Sequence, residues 1–184
     1  MNSAPTLPSD GLRRIRRLAH SVRALSVAGA VTVLSLALLF WTHPERVARH
    51  ATGDWGLKAV QLDPASLAGG FAASMLPGGV ALWALWQLWS LFGCYAHGEL
   101  LTPRPAAYLR RLGLALIALA AAMPLGHTLT VLALTWGNPP GQRVFWFGLS
   151  SQHYLSLMFG LMLLALATVL AEAARVAREN AEFV

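Results

Sequence analysis

The stretch that decides the fold is residues 24–41, ALSVAGAVTVLSLALLFW, which lies in a gap without charged residues between Arg23 and Glu45. A helix that crosses the ~30 Å hydrocarbon core of a bilayer needs about 20 mostly apolar residues. In hydrocarbon the backbone satisfies its own polar groups only as a helix or a closed barrel, and this run lacks the alternation of barrel strands. The stretch therefore predicts a membrane-spanning helix over residues 22–41.

Three further windows without charged residues repeat this pattern along the 184-residue chain. Their apolar parts predict spans at residues 71–96, 112–134 and 153–171. The composition agrees, because only 12% of the residues are charged, about half the roughly 25% of an ordinary soluble domain. We therefore expect an all-α fold, in which residues 1–184 form a single domain built as a four-helix transmembrane bundle.

An arginine-rich arm precedes the first span, and two questions about it must be decided: whether the span is a cleaved signal, and what the arm binds. A cluster between residues 13 and 17 precedes it, as in a secretory signal, but the apolar run is longer than a signal core and ends at Trp41 and Pro44 without small residues. We interpret it as a retained anchor. Because the arginines alternate with apolar residues, the arm itself is predicted to be a basic amphipathic helix on lipid rather than a nucleic-acid-binding arm.

The basic residues also predict the orientation. Ten of the 14 lie in the N-terminal arm, in the loop between the second and third spans, and in the C-terminal tail. Lys and Arg are retained on the cytoplasmic side of short loops, so both termini are predicted to be cytoplasmic. Interfacial tryptophans favour the same arrangement, with Trp41, Trp136 and Trp146 at the outer face.

Catalytic motifs are missing from the sequence. Apart from Arg23 at the edge of the first, no predicted span contains an acidic or basic residue, which argues against a proton-coupled pump. There is no His-Glu-x-x-His helix, no Gly-x-Ser-x-Gly turn and no phosphate-binding loop. The single cysteine excludes an internal disulfide and a multi-cysteine metal site. We predict a non-enzymatic protein without a cofactor or a bound metal.

Three polar residues are candidates for ligand binding: His127, Gln87 and His153. His127 lies roughly 22 Å into the third span, where a neutral imidazole needs a hydrogen-bond partner. A haem or metal held by His127 and His153 is one interpretation. The other is a bundle-facing histidine that bonds a backbone carbonyl and packs near Gly160. Gln87 is interpreted as an amide that joins two helices.

The remaining polar and aromatic residues are interpreted as structural. The other four histidines fall in the arm and the loops, where we expect them to be solvated. An aromatic row from Trp83 to Phe92 recurs every third residue, which predicts packing and lipid contact rather than a cofactor pocket. Ser156 and Gly160 predict a close helix contact. The long loop from His43 to Gly70 is expected to be ordered only where it lies on the membrane.

The second loop and the tail carry the most patterned polar sequence. Gly98 is predicted to end the second helix, and Thr102 before Pro103 to begin the third. Glutamates and arginines of the tail are spaced to pair along one helix, as on a solvated helix end. The alternative is a cytoplasmic docking face in which glutamates meet the loop arginines. Its candidate residues are Gly98, Glu99, Thr102, Arg110, Arg111, Arg175, Glu179 and Asn180.

These two segments resemble a family. The turn 98–102, Gly-Glu-Leu-Leu-Thr, the segment 109–113, Leu-Arg-Arg-Leu-Gly, and the ending Ala-Arg-Glu-Asn-x-x-x-Val resemble the YoaS-like bacterial four-span membrane proteins of unknown function. Leu101 replaces a common aromatic, and residues 181–183 depart from the usual ending. The resemblance implies the bacterial cytoplasmic (inner) membrane and a regulatory role beside small helix-turn-helix regulators.

The function predicted from the sequence is therefore a multi-pass membrane protein whose cytoplasmic face docks a regulatory protein. The alternatives are a small-molecule, haem or metal-binding membrane protein and an accessory subunit of a transporter. The expected partners are the lipid bilayer, a cytosolic regulatory protein and a second copy of the chain, with no direct nucleic-acid binding.

Overall fold

The computed structural model of the protein describes residues 9–99 and 102–182. Within these ranges the chain folds into five helices and no strand, which confirms the predicted all-α fold. The helices are α1 (Ser9–Trp41), α2 (Pro44–Gly53), α3 (Pro64–Ala96), α4 (Pro103–Thr135) and α5 (Ser151–Glu182).

Four helices, α1, α3, α4 and α5, are long and apolar enough to cross a membrane, with mean hydropathies between 1.4 and 2.2 over their apolar windows. At 1.5 Å per residue each is about 50 Å long, well beyond the ~30 Å of a hydrocarbon core. The arginine-rich arm is helical, as expected, and forms the first part of α1, which continues directly into the first span. The protein is a multi-pass membrane protein.

The four long helices pack antiparallel in chain order, α1 on α3, α3 on α4 and α4 on α5. Among the described residues α1 and α5 form no packed interface, so the bundle is an open row in which α4 is the most buried helix. We call the end where α1 and α4 begin the arginine end. The opposite end, which carries α2 and residues 136–150, is called the loop end.

Small residues set the close approach of α4 and α5, as the sequence predicts. A Cβ atom added to Gly160 would lie 2.7 Å from Ile117 Cγ1 and 2.8 Å from the carbonyl oxygen of Gly113. One turn away, the Ser156 hydroxyl donates a hydrogen bond of 2.9 Å to the Leu116 carbonyl. Backbone contact and an interhelical hydrogen bond are the forces that join helices in lipid, where water supplies no hydrophobic drive between them.

A second close contact joins α3 to α4 near the loop end. The helix α3 continues through Pro77, whose ring packs against α4 where a Cβ added to Gly126 would lie 2.6 Å from Pro77 Cδ. A proline interrupts the hydrogen-bond ladder of its helix, and a neighbouring helix compensates by packing on the interruption. This contact places the next residue of α4, His127, beside the α3 surface.

The loop end is more ordered than the sequence predicts. Instead of a loop ordered only by the membrane, residues 44–53 form α2, and Val47 and Ala51 of this helix are fully buried. The side-chain amide of Asn138 donates hydrogen bonds to the carbonyls of Ala59 (3.0 Å) and Gln142 (3.3 Å), and its oxygen accepts one from Gln61 (3.0 Å). One buried amide therefore joins the two connecting segments.

We expect Asn138→Ala to lower the stability of the folded protein by about 1–3 kcal/mol, because the carbonyls and the amide that it bonds would lose their partner in a buried site. Asn138 itself is 3% exposed. The measurement is the melting temperature in detergent, with Asn180→Ala on the exposed face of α5 as the control. Equal melting temperatures for the two variants would contradict this role.

The helix ends follow the predicted chemistry in most details. Gly98 lies just past α3 with φ +81°, a conformation that favours glycine, and Thr102 is the residue before α4. Thr102 makes no side-chain capping hydrogen bond, so only its position is as predicted. Asp63 caps α3 by accepting from the Ser66 backbone N–H. Hydrogen bonds from the Ser66 side chain and backbone hold the pKa of Asp63 below its ordinary value.

Candidate functional site

The loop end contains a cavity of about 620 Å³. Five parts of the chain line it: the end of α1, α2 with Trp55, the first turns of α3, the last turns of α4, and the segment that leads into α5. Pockets for small molecules commonly have volumes of about 300–1,000 Å³, so this cavity has the size of a ligand site. Among the described residues no Asp, Glu, Lys or Arg lines it.

Aromatic rings in unbroken contact form much of the wall. His127 lies at its centre, with its ring edge-to-face to Trp55 (centroids 5.1 Å apart) and to Trp146 (4.6 Å). The series continues from Trp55 to His50 (4.9 Å) and from His50 to Phe40 (5.6 Å). Such edge-to-face pairs each add about 0.5–1.5 kcal/mol beyond burial. The wall is therefore a fixed surface around His127 rather than a set of independent side chains.

Two polar groups on α4 open into this cavity without a protein partner. His127 and Thr130 lie three residues apart, on the same face of α4, and both line the cavity. Neither side chain forms a hydrogen bond with another described residue. Their polar atoms are not fully buried, so they remain accessible from the cavity. Thr130 is only 4% exposed, so its hydroxyl has little access to bulk water. Because an imidazole and a hydroxyl can each donate or accept a hydrogen bond, this pair is a candidate hydrogen-bonding site for a molecule in the cavity.

Two further histidines of the cavity have one ring nitrogen occupied. His50 Nδ1 contacts the Asp54 carboxylate on α2, so this nitrogen carries a proton. His153 Nδ1 accepts the Ser150 backbone N–H at 2.9 Å, so its proton lies on Nε2. Each imidazole therefore has Nε2 left for a ligand, and Nε2 of His153 is a donor.

The position of His153 also explains its contact with the Ser150 hydroxyl, 3.3 Å away. Ser150 precedes the first residue of α5 and His153 is the third residue of that helix. The histidine side chain bonds back to the residue that caps the helix, in the arrangement of a capping box. The pair therefore stabilises the start of α5 and fixes this part of the rim.

The other residues at the edge of the cavity are held by packing on a glycine and by hydrogen bonds to a serine hydroxyl and a backbone carbonyl. The Trp41 ring occupies the space where Gly70 has no side chain, and its indole N–H donates to Ser74 Oγ at 3.0 Å. On the opposite side the Thr128 hydroxyl lies 2.7 Å from the Trp146 carbonyl and joins the α4–α5 segment to α4. These contacts keep the cavity open between rigid elements.

The structure separates the three candidates for ligand binding. His127 and His153 line the same cavity, whereas Gln87 does not; it is buried near the middle of α3, and its Oε1 has no partner among the described residues. The expected packing of His127 near Gly160 is wrong, because Gly160 packs on Gly113 and Ile117. His50 is partly solvated, as expected, with its side chain 43% exposed, but its ring is also part of the cavity wall.

Metal binding is not favoured by the spacing of these residues. In the parts of the chain that the structure describes, no three His, Cys, Asp or Glu side chains are grouped closely enough to hold a metal ion. His127 contacts Trp55 and Trp146 with its ring edges, and His50 is paired with Asp54. The arrangement suits hydrogen bonding to an organic molecule better than coordination.

The docking candidates lie at the arginine end, but they pair locally. Arg175 donates to Glu172 (3.0 Å from Nε) and to Glu179 (2.6 Å) on its own helix, and Glu99 lies 3.6 Å from Arg104. The expected contacts between the tail glutamates and Arg110 or Arg111 are therefore not formed by Glu172 and Glu179. Asn180 lies on an exposed face of α5, and Leu100 and Leu101 lie outside the described residues.

The fold and the cavity together define a class of protein, a four-span membrane protein with a small-molecule-sized site at one end. Comparison with known families adds one finding: the family described as "Protein of unknown function (DUF2975)" matches residues 44–184. The chain belongs to this family. The match covers the cavity-lining parts of α2, α3, α4 and α5. No curated protein and no solved structure matches the chain.

Proposed function

We propose that the protein is a membrane receptor for a small, uncharged, largely apolar molecule, which it binds in the loop-end cavity. The observation that carries this proposal is the pair His127 and Thr130, whose polar atoms open into the cavity without protein partners. An ion would enter this site without a counter-charge, since no charged side chain lines it. A neutral molecule with one or two hydrogen-bonding groups fits both the aromatic wall and these two residues.

The proposal describes binding rather than catalysis. Among the hydrogen bonds of the described residues, Ser150 is the serine that contacts a cavity histidine, and Nδ1 of His153 there accepts the Ser150 backbone N–H. A base that activates a nucleophile needs a free nitrogen and a group that orients it. The cavity therefore supports recognition of a molecule that leaves unchanged.

The test is a fluorescence titration of the purified protein in detergent with 2-naphthol, a neutral aromatic alcohol. Trp41, Trp55 and Trp146 all line the cavity, so an occupant changes their emission. We expect saturable quenching with one site per chain, and none with the charged analogue 2-naphthalenesulfonate. Quenching that rises linearly for both compounds would show partition into the micelle and would contradict the proposal.

The arrangement in the membrane is part of the proposal. The arginine end holds ten of the 14 basic residues, which supports placing both termini in the cytoplasm of a bacterium and the cavity on the outer side of its inner membrane. The resemblance of residues 98–102 to the YoaS-like proteins supports the same location. A reporter fused after Val184 should be active only in the cytoplasm; activity outside would reverse the arrangement.

A second candidate function is docking of a cytosolic regulatory protein at the arginine end. It is favoured by the exposed face of α5 beyond the predicted span, on which Val176 (43% exposed) lies beside Glu172 and Asn180. A photocrosslinker at position 180 should trap one cytosolic protein repeatedly. Capture of lipid alone would reject this candidate and would leave the receptor proposal unaffected.

A further inference from the structure

A second binding site lies at the arginine end, where a cation rests on an aromatic ring. The guanidinium carbon of Arg23 is 4.3 Å from the centroid of the Trp89 ring, and Trp86 stacks on Trp89 at 5.4 Å. Arginine over tryptophan is a favourable cation–π pair. The Nε atom of the guanidinium is buried, so only its terminal nitrogens point outward. The contact with Trp89 holds the group in this direction.

The charge of Arg23 is not neutralised by the protein. Among the described residues no carboxylate lies within ion-pair distance of it, and the next acidic residue after Arg23 along the chain is Glu45. Arg16 lies two turns earlier on the same face of α1, where its Nε donates to the Ala96 carbonyl at 3.3 Å. Two guanidinium groups are therefore held against α3, and both are available to an anion.

An apolar groove of about 270 Å³ continues from this pair toward the middle of the membrane. Its walls are Ser26, Val27 and Ala30 of α1 and the segment 82–89 of α3. The Ser26 hydroxyl is already donated to the Val22 carbonyl, so the groove presents little polarity. Trp86, which is 61% exposed, forms the side that opens to lipid.

We propose that this groove binds an anionic phospholipid, with its phosphate on Arg23 and one acyl chain between α1 and α3; Arg16, two turns away, adds to the attraction of the anion. The arginines and the apolar groove together favour an anionic lipid over other anions or lipids. A water-soluble anion would leave the groove empty, and a zwitterionic lipid would bring its own cation to the arginines. Basic residues at a membrane surface attract anionic lipid, and here the guanidinium is oriented in advance by Trp89. The site is distinct from the loop-end cavity and does not depend on it.

Native mass spectrometry of the detergent-purified chain with equal amounts of phosphatidylglycerol and phosphatidylcholine tests the proposal. We expect a preference for phosphatidylglycerol that falls about fivefold in Arg23→Gln, the effect of one basic residue near the surface. Arg14→Gln, which removes an exposed charge from the same helix, should keep the preference. If both variants lost the preference for phosphatidylglycerol equally, the arm as a whole would attract anionic lipid, and the proposal of a specific site at Arg23 would be overturned.

Two further measurements separate the proposal from a folding defect in Arg23→Gln and from binding of free phosphate. Trp89→Leu keeps every charge and should weaken the preference about twofold, the value of an exposed cation–π pair; it carries the test if Arg23→Gln does not fold. Excess inorganic phosphate should leave the bound phosphatidylglycerol in place. An unchanged preference in Trp89→Leu and Arg23→Gln, or displacement by phosphate, would overturn the proposal.

Discussion

Gly160→Ala should destabilise the protein by about 1–3 kcal/mol, although alanine is the better helix former. The added methyl group would lie 2.8 Å from the carbonyl oxygen of Gly113, a backbone atom that cannot rotate away. Relief therefore requires α4 and α5 to separate, which also lengthens the hydrogen bond from Ser156 to Leu116. Unfolding in detergent, followed by helical circular dichroism, measures the loss.

Gly93→Ala is the matched control for this experiment. Gly93 also lies inside a long helix, but a methyl group added to it meets nothing within 4 Å. Its substitution should be neutral or slightly stabilising, because alanine loses less backbone entropy than glycine. Similar effects of the two substitutions would mean that α4 and α5 do not approach as closely as described here.

His127→Leu should weaken the binding of 2-naphthol about tenfold, because the bound hydroxyl would lose its hydrogen bond to the imidazole. Leucine fills a similar volume, so the helix contacts of α4 near Gly126 should be kept. Thr130→Val, which replaces only the hydroxyl, should also reduce the affinity. The measurement is the titration of tryptophan emission, repeated for each variant.

The control is His20→Leu, which removes an exposed imidazole from α1 at the arginine end. Its titration should match that of the unsubstituted protein. If His127→Leu bound 2-naphthol as tightly as His20→Leu, the cavity would be excluded as the site. A loss of binding together with a large fall in melting temperature would be resolved by Thr130→Val, whose shape is nearly unchanged.

The spans and their close contacts could be predicted because they depend on local sequence. Hydrocarbon requires about 20 apolar residues per helix, and four windows supply them. Gly160 and Ser156 were identifiable as contact residues, since few residue types permit two helix backbones to meet. Gly98 was predicted to end α3 because helices often end at a glycine, and the positive φ observed there is the conformation that favours glycine.

The cavity could be predicted only in part, because its walls come from distant parts of the chain. The depth of His127 and His153 indicated that they share a level of the membrane, and both line the cavity. His50 and Trp55 gave no such signal, since they lie in a polar segment that packs on α1 and, through Ala51 and Leu57, on Val131 of α4. Trp41 and Trp146, expected at the outer interface, lie at the loop end and also line the cavity, although Trp146 remains 50% exposed.

The most direct test of the receptor proposal is to identify what the protein retains when it is extracted from its own membrane in mild detergent. Mass spectrometry of the organic extract should find an uncharged molecule near one per chain in the unsubstituted protein, and should find it depleted from the double variant His127→Leu/Thr130→Val. Identical extracts from the two proteins, with both folded, would contradict the claim that the cavity around His127 is a binding site.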